Sequence, residues 1–456
     1  MPRWLKFARG STYTSELSTY PITPRDGAGG FPGRYRLSVG IGRYFEQLSY
    51  LQVLAVGVVL ERYISYFLGS EGVIFGQPAG VLLTFGYFGL AALLWARSGS
   101  TASASGTLRL FLLALSLAWV LHVAVYRIHG DAFNYTALLY LPILGMIAWR
   151  PLSLSQAIQA ARAFMLTVVV VILATFILER FGAIAPRSQS VGVVNFDEER
   201  YFLPFNDMLG IEGRWPGPFG HNGDTAMMAA LLIVFAVGFW SRLSWLFVTV
   251  GIMVFALTDG RASIGAAAAG LLAIWMLSRN RKLSWAPQWM RLATGSGVLL
   301  VGALLMLMRP AGLTGRERIW PAFLEIWWES PWIGVGGSGF ATGNEITQQF
   351  GHAHSLYIEE LARSGLIGFM AQFVALGIGV FIAARAAGIG YPGPLAVMVA
   401  YFVTGVTEPR NNWIEPSATW FLLILMVLAA SARLVSEDRN RSTDREEDSL
   451  SSSPPA

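Results

Sequence analysis

Residues 163–182 read AFMLTVVVVILATFILERFG, and this stretch decides the fold class of the chain. Its charges, Glu179 and Arg180, lie near its end, and about 20 mostly apolar residues suffice for a helix to cross a bilayer. Segments of the same kind recur along the 456 residues: 48–68, 75–96, 108–126, 135–149, 224–241, 243–258, 262–278, 293–308, 365–385, 392–407 and 418–435. The sequence therefore predicts an all-α polytopic membrane protein, a bundle of about 12 transmembrane helices.

The composition excludes an ordinary soluble domain. Hydrophobic residues make up 54% of the chain and charged residues 13%, whereas a soluble domain carries about 25% charged residues. Cysteine is absent, which excludes disulfides, thiolate nucleophiles and cysteine-ligated metals. The net charge of +5 lies in short basic flanks between apolar segments. It therefore indicates membrane orientation, and we predict no nucleic-acid partner.

The chain divides into three regions by composition. Residues 1–45 are polar, basic and rich in Gly and Pro, which predicts a cytoplasmic leader rather than a signal peptide. Residues 46–435 form the predicted transmembrane catalytic domain. Residues 436–456 are charged and then rich in Ser and Pro, which predicts a disordered cytoplasmic tail.

Positive charge predicts the orientation of the spans, because basic residues near span ends favour the cytoplasmic side. A start from the cytoplasm puts these basic residues inside: Arg150, Arg162, Arg279, Arg281, Lys282 and Arg291. The two long polar segments, 183–223 and 309–364, then face outward, and we expect short interfacial helices and the functional site in them.

The segment His352-Ala353-His354-Ser355 is the densest group of histidines. Since His354, Ile358 and Leu361 recur at i, i+4 and i+7, we predict that His354 lies on the apolar face of a short surface helix. A histidine in such a partly dry site is a candidate general base.

Two alternatives for His352 and His354 stay open. They are interfacial polar residues, or they ligate a metal, a role that suits the His-x-His spacing. The neighbouring carboxylates show no recognisable ligand spacing, and Glu359, Glu360 and Arg363 are predicted to point away from His354. We therefore predict no metal and no cofactor.

Arg261 follows Thr258-Asp259-Gly260 and opens an Ala- and Gly-rich span. This order predicts a helix N-terminus on the outer side, capped by Thr258 or Asp259. Free backbone N–H groups and an arginine fork together suit phosphate or diphosphate. The alternative is an arginine that only anchors a helix end.

The run Gly315-Arg316-Glu317-Arg318-Ile319-Trp320 opens a second outer segment. Four residues recur at the helical spacing i, i+4, i+7 and i+11: Arg316, Trp320, Phe323 and Trp327. This spacing predicts an amphipathic interfacial helix with these residues on one face. Pro321 fits this helix if it starts within a turn before the proline. Two roles stay open for Trp327, Trp328 and Trp332: stacking on sugar rings, or a belt of aromatic residues at the membrane interface.

Two glycine-containing loops complete the candidate site. Residues 334–339 have the spacing of a dinucleotide-binding fingerprint, but no strand precedes them, so we predict a tight turn instead. Residues 214–222 predict a rigid loop that enters the next span, with Arg214 and His221 available to a ligand.

Four short segments follow one another in the second half of the chain: Thr258-Asp259-Gly260-Arg261, Gly315-Arg316-x-x-Ile319-Trp320, Pro331-Trp332-Ile333-Gly334-Val335-Gly336 and His352-Ala353-His354-Ser355-Leu356-Tyr357. In this order, and on the outer side, they resemble the bacterial O-antigen ligase and polymerase family. The last segment is the sharpest, since His354-Ser355 is followed by Gly365 and Gly368 at the family's ligase spacing. The resemblance covers about residues 205–370, and the flanking spans match only in topology.

The resemblance implies transfer of a glycan from undecaprenyl diphosphate to an acceptor hydroxyl on a glycan or lipid, at the outer face of the bacterial cytoplasmic membrane. It implies that Arg261 and Arg316 hold the diphosphate and that His354 activates the acceptor, without metal. Candidate substrate-binding residues are Arg214, His221, Arg318, Trp320, His352 and Tyr357. The chain departs from relatives that carry Pro-Asn after the loop glycine, because it has His221-Asn222-Gly223-Asp224.

The motifs do not separate a ligase from a polymerase. A different alternative is a polysaccharide flippase or other transporter, which requires ionisable residues within the bilayer. The candidates for that role are Glu61, Arg62 and His122. They are few, and a transporter leaves the polar outer loops unexplained.

Overall fold

The computed structural model describes residues 49–68, 73–74, 77–97, 104–130, 136–150, 153–182, 215–219, 222–258, 260–279, 316–406 and 418–451. The predicted leader, the predicted span 293–308 and three site residues, Arg214, His221 and Asp259, lie outside the described residues. The described part of the chain contains fourteen α-helices and one short antiparallel strand pair.

The first eight helices are α1 (Tyr50–Leu68), α2 (Ala79–Arg97), α3 (Gly106–Ile128), α4 (Thr136–Trp149), α5 (Leu154–Arg180), α6 (Asn222–Gly238), α7 (Ser244–Thr258) and α8 (Arg261–Arg279). The others are α9 (Arg316–Glu329), α10 (Ser338–Thr342), α11 (Glu345–Phe350), α12 (Leu356–Gly388), α13 (Gly393–Gly405) and α14 (Ala418–Ser451). Strand β1 (Val73–Ile74) pairs with β2 (Gln77–Pro78). A 3-10 turn spans Gly217–Phe219.

Helices α1 to α8 and α12 to α14 coincide with eleven of the predicted spans. Within the described residues, four helices are long and apolar enough to cross a membrane, namely α3, α5, α12 and α14, and the other seven are shorter apolar helices. The predicted all-helical fold class is confirmed, and the four long helices are of the kind that membrane proteins use.

The core of the bundle is built around α14. Its residues from Ala418 to Ala430 are buried, and Trp420 lies edge-on to Trp119 of α3 at 6.2 Å between ring centroids. The outward faces of other helices are equally apolar, for example at Leu113 and Phe373, which are more than half exposed. Monomeric soluble proteins rarely expose large apolar patches, so this surface suits contact with lipid.

Glycines allow α6, α8 and α13 to approach closely. A Cβ atom on Gly270 would lie 3.0 Å from the carbonyl oxygen of Ala396, and one on Gly238 would lie 2.9 Å from Cα of Gly393 and 3.5 Å from Ile274. Small residues at helix crossings are typical of membrane bundles. These contacts also show that α8 and α13 run antiparallel, so the start of α8 lies at the same end of the bundle as the end of α13.

Helix α12 is broken at Gly365, whose φ of +64° and ψ of −172° are not helical. The segment Pro331–Gly336, here called the 331–336 turn, pairs with the break. Val335 and Gly336 donate to the carbonyl oxygens of Ala362 and Arg363, and Leu366 and Ile367 donate to those of Pro331 and Trp332, at 2.9–3.0 Å. The backbone groups that the break releases are therefore satisfied, as an apolar environment requires.

The break makes Gly365 a sharp test of the fold. A Cβ atom there would lie 2.4 Å from both Gly334 N and Trp332 O, and its φ is left-handed. We expect Gly365→Ala to lower the free energy of unfolding by at least about 2 kcal/mol. The matched control is Gly377→Ala in the same helix, where a Cβ atom meets nothing within 4 Å. The control should be stabilising by up to about 1 kcal/mol, because alanine favours a helix. Unfolding in mixed micelles measures both, and equal stability of the two variants would contradict the role of the break.

The tail differs from its prediction. Residues 436–451, predicted to be disordered, continue helix α14. Glu437 lies 3.4 Å from Arg433 and 3.5 Å from Arg441, and such i, i+4 pairs stabilise an exposed helix. The charged composition that indicated disorder is thus also compatible with helix, because Arg and Glu have high helix propensity.

Candidate functional site

A small core separate from the main core of the bundle joins three of the four segments that carry the resemblance. Its buried members are Ile319, Phe323, Phe340, Ala353 and Ala362. The rings of Phe323 in α9 and Phe340 in α10 are 4.9 Å apart and edge-on. Helix α9, the 331–336 turn, the segment 352–357 and the start of α12 therefore lie together although they are separated along the chain.

Helix α9 was predicted, but its buried face is rotated from the prediction. Ile319, Phe323 and Ile326 are buried, while Trp320 and Trp327 are half-buried at the edge of the small core. The helix begins at Arg316, more than a turn before Pro321, so the proline lies inside it. The predicted condition, a start within a turn before Pro321, is therefore not met, and the proline removes one backbone donor from the helix.

The tight turn predicted at 334–339 is confirmed for residues 334–337, whereas residues 338 and 339 belong to α10. Gly334 and Gly336 have φ values of +71° and +70°, and a Cβ atom on Gly334 would lie 2.4 Å from the carbonyl oxygen of Arg363. Only glycine fits both the conformation and the close backbone approach.

The prediction that His354 lies on a helix face is wrong. Helix α12 begins at Leu356, and His354 precedes its N-cap residue Ser355 with a φ of +50°. His354 is the one non-glycine residue with positive φ among the described residues. Its ring lies 4.1 Å from the ring of His352 and 6.2 Å from that of Phe350, between centroids. The turn, not a helix, brings the two imidazoles together.

Glu359 and Glu360 are both buried. The prediction that Glu359 points away from His354 is wrong, because its carboxylate contacts Ala353, the residue between the two histidines. Glu359 accepts hydrogen bonds from Arg363 at 2.7 Å and from the backbone N–H of Ala353 at 3.3 Å. Arg363 also donates to the hydroxyl of Tyr126 in α3 at 2.8 Å. This network, here called the Glu359 network, ties the residue between the two histidines to α12 and α3.

A second buried group connects α3 and α12. Nδ1 of His122 lies 2.7 Å from the carbonyl oxygen of Ala118, and Nε2 is hydrogen-bonded to Glu360, which also accepts from Ser364. A carbonyl oxygen only accepts, so Nδ1 carries a proton. Nε2 and Glu360 then share one further proton, as imidazolium with carboxylate or as imidazole with carboxylic acid. The pair has no net charge in either form, which suits its burial.

Sequence reasoning missed both buried groups as contacts, although signals for them exist. Glu359 and Arg363 are spaced i, i+4, which is the spacing of a helical ion pair. His122 is an ionisable residue in the interior of an apolar span, and such residues in membrane proteins pair with one another. The missing information was the partner helix.

The start of α8 differs from its predicted cap. Thr258 is the last residue of α7, and its hydroxyl donates to the carbonyl oxygen of Val254 at 2.8 Å. Gly260 accepts the first helical hydrogen bond of α8, from Ile264 at 3.0 Å, and so occupies the N-cap position. Arg261 is the first residue of α8, as predicted, and its side chain lies outside the described residues.

Contacts between helix ends put the candidate segments at one end of the bundle. Trp215 donates its backbone N–H to Leu257 at the end of α7. A Cβ atom on Gly405, at the end of α13, would lie 2.9 Å from Leu356 at the start of α12. Because α8 and α13 are antiparallel, Arg261 lies at that end as well. The fourth segment therefore shares an end of the bundle with the other three.

The remaining predicted residues are distributed around this end. Arg316 is half-buried and Arg318 is exposed, both in the first turn of α9. His352 and Tyr357 are half-buried. The hydroxyl of Tyr357 donates to the carbonyl oxygen of Phe402 at 2.8 Å, and this hydrogen bond connects α12 to α13. Within the described residues, no three His, Asp or Glu side chains form a group able to hold a metal.

The described part of the chain is helical and contains four helices long and apolar enough to cross a membrane. No family model and no curated protein matches the chain.

Proposed function

We propose that the protein is a membrane glycosyltransferase of the O-antigen ligase or polymerase type. It transfers a glycan from undecaprenyl diphosphate to an acceptor hydroxyl on the outer face of the bacterial cytoplasmic membrane, in surface polysaccharide biosynthesis. The supporting observation is the small core, which gathers residues 316–320, 331–336 and 352–357. These are segments on which the resemblance depends, and the start of α8 lies at the same end of the bundle.

The proposed chemistry needs two arginines and one base. The acceptor oxygen attacks the anomeric carbon of the donor, the bond from that carbon to the diphosphate oxygen breaks, and undecaprenyl diphosphate leaves. Arg261 and Arg316 stabilise the negative charge that develops on the diphosphate. His354 takes the proton of the acceptor hydroxyl. The Glu359 network holds the backbone beside His354 and thereby orients the imidazole.

Exchange of either arginine for lysine tests the diphosphate site. Arg261→Lys and Arg316→Lys conserve charge but lose the two-pronged contact, so each should raise the barrier to transfer by about 2–4 kcal/mol. The assay is turnover of an undecaprenyl-diphosphate-linked glycan by the purified variant in liposomes, at equal protein amounts. Arg433→Lys, at a partly exposed position near the middle of α14, is the matched control and should keep its activity. A variant with normal turnover removes its arginine from the proposed site.

The proposal includes about twelve spans, cytoplasmic termini and outward-facing segments 183–223 and 309–364. A chain without cysteine allows this topology to be tested with single engineered cysteines. Cysteines at positions 190 and 345 should react with a membrane-impermeant maleimide in intact spheroplasts, and one at position 440 should react only after permeabilisation. The opposite pattern would contradict the orientation and the location of the site.

A transporter of polysaccharide or lipid-linked glycan is the second candidate, and the buried pair of His122 and Glu360 favours it. An ionisable pair between two long apolar helices is typical of a proton or substrate path. The two functions differ in a sealed vesicle. A transporter moves the lipid-linked glycan across the bilayer without forming a new glycosidic bond, whereas the proposed enzyme forms the bond with donor and acceptor on the same side.

A further inference from the structure

A polar cavity of about 590 Å³ lies beside the 331–336 turn, which is within the range of about 300–1,000 Å³ for small-molecule sites. It is lined by Gly334 and Val335 of the turn and by polar residues from the ends of α3, α9 and α10 and the start of α11: His129, Glu329, Ser330, Thr342 and Asn344. None of the residues predicted to catalyse transfer is among the described residues that line it.

Three polar groups in the lining have no side-chain hydrogen-bond partner among the described residues. Nε2 of His129 is shielded from solvent and has no hydrogen-bond partner among the described residues. The carboxylate of Glu329 and the hydroxyl of Ser330 likewise have no side-chain partner in the described part of the chain. Asn344, in contrast, is used by the fold, because its side chain accepts from Thr347 and donates to Ala322.

The charge and geometry of these groups select the chemistry of the ligand. Among the described residues the lining contains no Arg or Lys, so these residues do not favour phosphate, and their one carboxylate is too few for a hard cation, which takes six or more oxygens. A carboxylate accepts, a hydroxyl donates and accepts, and an imidazole nitrogen does either. Ligand hydroxyls, which also donate and accept, complement the two residues that are accessible, exposed Glu329 and half-buried Ser330.

The walls of the cavity are backbone at Gly334 and Gly343, and the packing keeps them so. A Cβ atom on Gly343 would lie 2.3 Å from Ile326. Trp328 directly precedes Glu329, and Trp332 lies between Ser330 and Gly334, two residues from each. These tryptophans are 69% and 64% exposed. Exposed indoles offer flat apolar faces with a polar edge, the combination that stacks on the C–H face of a sugar ring.

We infer that this cavity binds a neutral saccharide segment, with Glu329 and Ser330 as hydrogen-bonding partners of its hydroxyls. Its assignment as part of the transferred or accepting glycan rests on the proposed function, whereas saccharide binding itself rests on the lining. Catalysis and binding can therefore be tested apart.

The test measures binding of maltotriose, cellotriose, mannotriose and tri-N-acetylchitotriose to the full chain in nanodiscs, prepared without glycoside detergents. Saturation-transfer NMR should detect at least one of these neutral trisaccharides. Glu329→Gln should weaken that binding about tenfold, because a hydrogen bond to a charged group is lost. Glu345→Gln is the matched control, since Glu345 is exposed on α11, does not line the cavity and should leave affinity unchanged.

Absence of binding by all four trisaccharides would overturn the inference. Equal affinity of Glu329→Gln and wild type, or displacement of the saccharide by inorganic phosphate at comparable concentration, would overturn it as well. If trisaccharide binds as expected but undecaprenyl-diphosphate donor is not turned over, the proposed function fails and the saccharide site stands. If transfer proceeds but no trisaccharide binds, the saccharide site fails and the proposed function stands.

Discussion

His354→Gln should transfer glycan at least about a hundredfold more slowly than the wild type, while it folds and binds the lipid-linked donor normally. Glutamine retains the size and hydrogen bonding of the side chain but cannot take the acceptor proton. The measurements are transfer, donor binding and thermal melting of the purified variant reconstituted with donor and acceptor. His352→Gln should lose much less activity, although its ring is only 4.1 Å away.

The left-handed backbone of His354 calls for a second variant. Its φ of +50° is better tolerated by asparagine than by most residues. His354→Asn should therefore keep the turn and its melting temperature while it loses transfer as His354→Gln does. If activity per folded molecule survives in both variants, the base assignment is wrong and His354 has a packing role. Loss of wild-type transfer on chelation would instead support the alternative of a metal at the two histidines.

Arg363→Met should destabilise the fold by about 3–5 kcal/mol, because removal of one partner leaves a buried charge uncompensated. The side chain of Glu359 is 4% exposed, and Arg363 also holds Tyr126 and lies over the ring of Phe340 at 4.9 Å. Methionine fills much of the same volume, so the loss reports mainly the polar contacts of Arg363, with the ion pair among them, rather than a cavity. The measurement is the free energy of unfolding in mixed micelles.

The chain contains its own control for this prediction. Arg433 and Glu437 form an i, i+4 pair of reversed order on α14, at 3.4 Å and about one-third exposed. Arg433→Met should cost about 0–1 kcal/mol, because solvent screens an exposed pair. Similar losses in the two variants would show that burial does not strengthen the pair at Glu359, and would remove the physical argument that this network orients the histidine turn.

The helices were predictable because hydropathy is local. A run such as residues 163–182 needs no partner to be recognised, since any helix that must avoid water in lipid is apolar over its whole length. The turn at Gly334 was predictable for a similar reason, because few residues other than glycine adopt its conformation. The helical structure of the tail was not predictable, because a charged stretch is compatible with both disorder and helix.

The sequence by itself determined an all-helical protein, the extents of most apolar helices and the segments worth testing as a site. Only the tertiary structure decided which of those segments contact one another and through which buried polar groups. The pairing of His122 with Glu360 crosses 238 positions in the chain, and the break at Gly365 is satisfied by a turn some thirty residues away. Hydropathy and helical periodicity depend only on residues that are close together along the chain. Buried polar contacts depend instead on which helices become neighbours in space, and there each unsatisfied donor or charge must find its partner.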